Sequence, residues 1–531
     1  MRLIRLWVIW LVLVLSASTS SAAYGQYDVV IRGGRLLDGA GNPWRHADVG
    51  VLGDRIAAIG DLGSAEARRT VDASGLYVAP GFIDVHSHAG PGLATRELSG
   101  AEPLLSQGIT TVVINPDGGG ATDLRTQRQR LLDAGLGVNV AQLVPHGAIR
   151  REIMGMAARE PTSAEMDLMS ELTRRGMEAG AFGLSSGLYY APGSYAATEE
   201  VIALAKVVAE YGGVYTSHIR DEADYNVGVV AAVEEVIRIA KEARLPGIVT
   251  HIKALGPRVW GYSQAIVMRI RQARADGIEV FADQYPYAAS GTGIIGALIP
   301  RWALVGGRKE LLRRIDDPAD GSRLRRAVAE NLDRRGGAAR LQFQRYRPDP
   351  SIEGQTMQAV AEDRAMDPAE LSLTLVRDGD AGLVSFNMNE DDIVTFMRQP
   401  WTMTSSDGGL VGMNVGVPHP RYYGTFPRKI HKYVVEERVI DLAAAVRSMT
   451  SLSAGVFGMA GRGLLREGAV ADIAVFDLER TRDIATYRDP HHLSEGMVYV
   501  LVGGEFAIDG GRFTGTNNGK VLSHRSEGAV P

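Results

Sequence analysis

The chain lacks cysteine entirely, since none of its 531 residues is one. This absence excludes a disulfide framework and the attachment of a lipid to a cysteine. Long basic runs are also missing and the formal net charge is −5, so nucleic acid and anionic membranes are not expected as partners. Apolar residues at 45% and charged residues at 22% are ordinary globular values, which argue against a disordered chain.

No apolar run is long enough to span a bilayer comfortably. The run from Leu6 to Leu15 follows Arg2 and Arg5 and precedes a stretch of small residues, 16–23. This order is typical of a secretory signal peptide. We therefore predict a signal peptide over residues 1–25 and an exported mature protein, periplasmic or secreted, with no stable membrane insertion. An uncleaved membrane anchor is the alternative.

Both ends of the remaining chain contain short strands. Residues 28–34 and 471–477 are examples of apolar, β-branched runs, and glycine-containing turns separate such runs. Each end is too short to bury a sheet face well, so the two gain by packing together. We predict one small composite β-sandwich domain, formed by residues 26–80 and 455–531.

Between these ends, strands alternate with helices. For example, a helical stretch at 227–243 separates the strand-like runs 214–218 and 247–251. Such alternation indicates parallel strands with crossover helices. The number of units over residues 81–454 predicts a closed, TIM-like (β/α)8 barrel, with an open doubly wound sheet as the alternative. An Arg-rich and Lys-rich segment near 295–347 breaks the rhythm, and we interpret it either as a lid-like insertion or as an ordinary pair of surface helices.

Histidine and aspartate recur at the carboxyl ends of the predicted barrel strands. His86 and His88 end the first strand, where residues two apart share a face. Four more positions follow later strands, namely Asp117, His218, His251 and Asp407. Each of these six residues alone is readily explained as a structural residue. Because the carboxyl ends of all barrel strands meet at one face, a structural role for all six at once is hard to sustain. Nitrogen and carboxylate ligands favour zinc, with manganese or another divalent ion as the alternative, and six ligands suit two ions that share a bridging carboxylate.

The sequence resembles the amidohydrolase superfamily and, within it, the D-aminoacylases, which are N-acyl-D-amino-acid deacylases. The resemblance covers nearly all of the predicted mature chain. The motifs that carry it are 80–88, 108–113, 183–193, 215–222, 251–253, 283–287, 406–408 and 419–428.

The resemblance implies roles for individual residues. His218 and His251 match the histidines of a tightly bound zinc, and His86, His88 and Asp407 match the ligands of a second site. Asp407 also matches the catalytic carboxylate. The residues that match substrate contacts are Lys253, Tyr190, Tyr285 and Arg421.

One ligand position departs from the family pattern. Where the family has a cysteine after the second strand, this chain has Asp117. A carboxylate bridges two divalent ions as a thiolate does, but it is a harder ligand and is expected to change metal affinity and preference. The departure is consistent with a subfamily that uses a different substrate.

The activity implied by the resemblance is metal-dependent hydrolysis of N-acyl-D-amino acids, small molecules from which the acyl group is removed. In this scheme a metal-bound hydroxide attacks the amide carbonyl and Asp407 transfers the proton to the leaving amine. Two alternatives keep the metal: a dipeptidase for substrates with a C-terminal D-residue, and an exported hydrolase of lactones or cyclic amides. A third alternative is a binding protein on a barrel scaffold that has lost catalysis. The oligomeric state is not predicted.

Overall fold

The structure, a computed structural model, describes residues 27–524. The predicted signal peptide therefore lies outside the described residues. Within 27–524, no helix combines the length and the apolar character needed to cross a membrane.

The strands of this region are β1 Tyr27–Leu36, β2 Arg45–Leu52, β3 Arg55–Gly60, β4 Ala67–Asp72, β5 Tyr77–Pro80, β6 Phe82–Asp84, β7 Ile109–Ile114, β8 Asn139–Gln142, β9 Val144–Pro145, β10 Gly183–Gly187, β11 Val214–His218, β12 Gly247–Val249, β13 Val280–Gln284, β14 Ser290–Gly293, β15 Leu341–Arg345, β16 Gly382–Ser385, β17 Thr402–Thr404, β18 Ile473–Phe476, β19 Met497–Val502, β20 Glu505–Asp509 and β21 Arg512–Phe513. The α-helices are α1 Gly90–Leu93, α2 Glu102–Leu105, α3 Leu124–Ala134, α4 His146–Met154, α5 Ser163–Glu178, α6 Thr198–Ala209, α7 Val229–Ala243, α8 Ser263–Ala275, α9 Ile294–Leu298, α10 Arg308–Asp316, α11 Pro318–Arg334, α12 Met357–Asp363, α13 Pro368–Asp378, α14 Glu390–Met397, α15 Arg421–Arg428, α16 Leu442–Met449 and α17 Ser451–Val456.

Strands from both ends of the chain share one nine-stranded sheet. Its order is β21-β20-β19-β18-β5-β1-β2-β3, with β4 paired to β1, and the antiparallel pairing of β5 with β18 joins the two halves. Side chains alternate between the two faces of this junction, as strand geometry requires. Ile473 and Val475 enter the core of the β domain, whereas Ala474 and Phe476 pack in the cluster that contains the first barrel strands. The predicted β domain composed of both chain ends is thus confirmed, while its exact boundaries stay a prediction.

Eight parallel strands form the barrel. One run is β6-β7-β8 and the other is β9-β10-β11-β12-β13-β17, and β8 and β9 continue each other across a single residue, Leu143. Just beyond the ends of the first and last strands, β6 and β17, the chain segments meet, since Asp407 N donates to His86 O at 2.9 Å and His88 N donates to Gly408 O at 2.8 Å. The predicted (β/α)8 architecture is therefore confirmed in preference to an open sheet.

An inserted unit lies between β13 and β17. Strands β14, β16 and β15 form an antiparallel sheet, and helices α9 to α13 pack with it around a separate hydrophobic core. Ile294, Phe343 and Leu371 are fully buried in that core. The unit runs from β14 to β16, which is further than the predicted segment 295–347, because the central strand β16 comes last in the chain. Its role as a lid stays a prediction.

Candidate metal centre

His86 and His88 extend β6 at the carboxyl end of the barrel. Buried Asp84 fixes the backbone of His86, since its carboxylate accepts hydrogen bonds from His86 N at 3.3 Å and from Ser406 N at 2.8 Å. Burial raises the pKa of Asp84 to about 6, against the hydrogen bonds of Ser406. Asp84 therefore ties the first strand to the segment after β17, and the two imidazole rings stand with their centroids 5.5 Å apart.

Asp117 stands among all four histidines. Its Oδ1 lies 3.4 Å from His86 Nε2 and from His251 Nε2 and 3.6 Å from His218 Nδ1, and its Oδ2 lies 3.4 Å from His88 Nε2. Burial opposes the ionisation of Asp117, but the charges of His86 and His218 outweigh it and hold the carboxyl pKa well below its usual range. The turn after β7 thus delivers a carboxylate to the centre of the cluster, with Asp117 in the left-handed region at φ +55°.

Asp407 faces the same cluster from the segment after β17. Its Oδ1 lies 3.2 Å from His88 Nε2 and 3.7 Å from His86 Nε2, while its Oδ2 lies 2.8 Å from Arg421 Nη1. Burial opposes its ionisation, but the Arg421 charge holds the carboxyl pKa below its usual range. Asp407 also has a left-handed backbone, at φ +47°, which aspartate tolerates better than most residues. Two strained aspartates at one pocket are typical of a functional site.

These six side chains form two groups that share Asp117. His86, His88, Asp117 and Asp407 form one, and Asp117, His218 and His251 form the other; within each group the candidate ligand atoms lie within 4.8 Å of one another. The structure thus brings together all six residues singled out in the sequence.

The donor set fits a pair of divalent cations. His86 Nε2, His218 Nδ1 and Asp117 Oδ1 are buried and have no hydrogen-bond partner among residues 27–524. Buried polar atoms are rarely left unpaired in native proteins, and here three of them converge on the same space. Imidazole nitrogen and carboxylate oxygen are the ligands that zinc and manganese accept.

Glu222 supports the second group from behind. Its Oε1 lies 3.1 Å from His251 Nδ1 and its Oε2 lies 3.6 Å from His218 Nε2, so it reaches the ring nitrogens that point away from Asp117. Lys253 Nζ lies 2.5 Å from Glu222 Oε1 and 2.7 Å from His251 Nδ1. Burial opposes the ionisation of Glu222, but the Lys253 charge keeps its pKa below the usual range. Glu222 was not predicted as a site residue from the sequence, although its place four residues after His218 was an available signal.

The predicted substrate residues line the same cavity, which has a volume of about 1050 Å³. Tyr190 OH lies 3.2 Å from Thr292 Oγ1 of the inserted unit, and the Arg421 guanidinium lies 4.7 Å above the Tyr285 ring. Lys253 and Arg421 are both almost fully buried. The structure therefore gathers Lys253, Tyr190, Tyr285 and Arg421 beside the six candidate ligands, while their roles stay predictions.

Fold and site together define the class of protein, a metal-binding (β/α)8 barrel with a composite β domain. Residues 69–508 match the model described as the Amidohydrolase family. The chain is 36% identical to an N-acyl-D-glutamate deacylase of Alcaligenes xylosoxydans xylosoxydans, over 90% of this chain and 93% of that one. It is 34% identical to a D-aminoacylase of the same organism, over 94% and 98%. This protein belongs to the amidohydrolase family.

A solved structure agrees with these sequence relatives. The N-acyl-D-glutamate deacylase of Bordetella bronchiseptica, crystallised with zinc and a phosphonate inhibitor that mimics the tetrahedral intermediate, matches with a TM-score of 0.81. The two proteins are 35% identical, and the match covers 94% of this chain and 100% of that one.

Proposed function

We propose that this protein is a metal-dependent amide hydrolase that removes the acyl group from N-acyl-D-amino acids. The observation that carries the proposal is the convergence of four histidines and two aspartates in one cluster. All of them except His86 line a cavity that also contains the buried cations Lys253 and Arg421. The names of its relatives, a D-aminoacylase and N-acyl-D-glutamate deacylases, support the same reaction class.

The residues that would hold one or two ions are His86, His88, Asp117, His218, His251 and Asp407, and zinc suits them best. A bound divalent ion supplies Lewis-acid polarisation of a carbonyl and lowers the pKa of water.

Asp407 is the residue that moves the proton. Because the Arg421 charge keeps its pKa below the usual range, Asp407 is ionised at neutral pH and accepts a proton from the attacking water. The water oxygen bonds to the amide carbon, the carbon–nitrogen bond breaks, and Asp407 returns the proton to the leaving nitrogen. A carboxylic acid and a free amine result.

Tyr190 donates a hydrogen bond to the substrate's carbonyl oxygen. Burial, together with the charge of Asp117, raises the pKa of Tyr190 well above its usual value, so the phenol keeps its proton at neutral pH. Its ring packs against His218 with centroids 4.6 Å apart, which places it beside the candidate ligands. A fixed donor at that position stabilises negative charge that develops on the carbonyl oxygen.

Lys253 and Arg421 attract the substrate's α-carboxylate. Each is held by an acidic neighbour, Glu222 for Lys253 and Asp407 for Arg421, and each lines the cavity. The guanidinium of Arg421 offers a planar, two-pronged contact, and Lys253 adds a compact charge.

A dipeptidase for substrates with a C-terminal D-residue is the second candidate. The cavity, about 1050 Å³, is at the upper end of the range usual for small-molecule sites, and it therefore leaves room for an amino-acid residue in the acyl position.

On the strength of the signal-like residues 1–25, we also propose that the enzyme is exported.

The proposal is tested by incubating the purified protein with N-acyl-amino acids and measuring the free amino acid that is released. With zinc supplied, we expect turnover of N-acetyl-D-amino acids, no turnover of the L-isomers, and loss of activity in Asp407→Asn. D-terminal dipeptides assayed in parallel distinguish the second candidate. Equal rates on L-isomers and D-isomers, or hydrolysis of lactones alone, would show the proposal to be wrong.

A further inference from the structure

Arg335 is a buried cation in the wall of the reaction cavity. It follows α11 in the inserted unit, is 1% exposed, and lines the same cavity as the candidate ligands. Neither the sequence motifs nor the proposed mechanism gives it a role.

The contacts of Arg335 are all with neutral groups. Nε donates to Ala297 O at 3.2 Å, Nη1 to Ser385 Oγ at 3.1 Å, and Nη2 to Tyr189 OH at 3.2 Å. If the Asn387 amide is turned over, its oxygen accepts a further bond from Nη1 at 3.3 Å. A guanidinium has five N–H donors, so these contacts leave at least one donor free. Among residues 27–524, no carboxylate forms an ion pair with Arg335.

The other buried cations of the cavity are paired. Arg421 Nη1 lies 2.8 Å from Asp407, and Lys253 Nζ lies 2.5 Å from Glu222. Removing a charge from water without an opposite charge nearby is costly. Arg335 therefore differs from its neighbours in that the anion that would balance it does not come from the described part of the chain.

The position of Arg335 determines how far from the candidate metal ligands such an anion would lie. Tyr189 joins the two parts of the cavity, because its hydroxyl contacts Arg335 and its ring lies 5.2 Å from the His218 ring between centroids. Arg335 thus stands about one tyrosine side chain away from the candidate metal ligands. A substrate whose amide lies at the ligands would need only a short side chain or acyl chain to reach it.

We propose that Arg335 binds a second carboxylate of the substrate, in addition to the α-carboxylate. The inference rests on the proposed deacylase function and narrows its substrate class to dianionic N-acyl-D-amino acids. The second carboxylate is carried either by an acidic D-side chain or by a dicarboxylic acyl group. The names of the relatives do not decide between acidic and other substrates, since one is an N-acyl-D-glutamate deacylase and another a D-aminoacylase.

Pairs of substrates that differ only in charge test this proposal. The first pair is N-acetyl-D-glutamate and N-acetyl-D-glutamine, and the second is N-succinyl-D-alanine and its terminal amide. We expect the wild-type enzyme to prefer the acid in at least one pair, which also identifies the source of the carboxylate. Arg335→Met should lower kcat/KM for that acid by about 10- to 100-fold, mainly through KM, the range expected for a hydrogen bond between charged groups. The amide of the pair should change by less than about threefold.

Arg334→Met is the matched control. Arg334 precedes Arg335 but contacts Asn331 and Asp224, and it does not line the reaction cavity, so the acid preference should persist. If Arg335→Met does not fold, Arg335→Lys is used instead, because lysine keeps the positive charge but lacks the planar guanidinium. In Arg335→Lys, kcat/KM should fall for the acid and not for the amide. Equal losses for acid and amide, or no wild-type preference for an acid, would overturn the proposal. Turnover of neutral D-substrates in that case would leave the deacylase function standing, whereas no turnover of any N-acyl-D-substrate would refute the function itself.

Discussion

Asp117 is the one side chain common to both candidate ligand groups, so replacing its carboxylate should weaken both. Asp117→Asn keeps the size of the side chain but removes a charge that stands 3.4 to 3.6 Å from nitrogens of His86, His218 and His251. Loss of a residue that merely supports a metal ligand costs about 10- to 100-fold in affinity. Loss of a shared ligand should cost more, at least about 100-fold, which corresponds to about 3 kcal/mol.

Elemental analysis of zinc per chain, followed by titration with a competing chelator, measures this effect. We expect the Asp117→Asn protein to bind fewer ions than wild type and to release the remainder at much lower chelator concentration. Asp123→Asn is the control, because Asp123 is an exposed aspartate of the same loop whose contacts cap α3. An Asp117→Asn protein with wild-type zinc content and affinity would refute the assignment of Asp117 as a shared ligand.

Asp117→Cys extends the same experiment. A thiolate at this position restores a negatively charged ligand but a softer one, so zinc binding should persist while manganese binding falls. If Asp117→Cys behaved like Asp117→Asn, the position would require carboxylate geometry and not merely a bridging anion.

Two further predictions concern buried charges near the site. Burial lowers the pKa of Lys429 to about 7, whereas a lysine in the unfolded chain has a pKa of about 10.4. Between these two values the unfolded chain binds more protons than the folded chain, so the free energy of unfolding should rise from about pH 7 to pH 10. Lys429→Met should flatten this rise of stability with pH. It should also raise the melting temperature at pH 7, because Thr404 and Ser448 keep their mutual hydrogen bond of 3.0 Å. An unchanged slope of stability against pH in Lys429→Met would contradict the prediction. Glu222→Gln should lower zinc affinity by about 10- to 100-fold, because it weakens the contact that orients the His251 ring. Chelator competition measures this affinity, and an unchanged value would show that Glu222 does not orient His251.

The cluster of candidate ligands was accessible from the sequence because barrel topology brings the ends of parallel strands together at one face. His86, His218 and His251 each follow an apolar run, and parallel strands in a closed ring end at one face. That inference needs no knowledge of distances. The (β/α)8 fold itself was predicted from the same alternation of strands and helices.

Residues that non-local contacts bring to the site were not accessible in this way. Glu222 lies beyond the end of β11 and reaches His251 only because β11 and β12 are neighbours in the ring. Arg335 reaches the cavity only because residues of the inserted unit line part of it. The full extent of that unit was also missed, since β16 pairs with β14 and β15 in a register that no local pattern encodes.

The sheet shared by both ends of the chain sets an order of assembly. On the ribosome, β1 to β5 emerge early, but the edge of β5 stays without its neighbour until β18 has been synthesised, after the whole barrel. An unpaired edge strand invites association with other chains, so the nascent protein carries this hazard through most of its translation. Pairing of β18 with β5 is then a late event between segments far apart in the sequence, which is expected to slow folding.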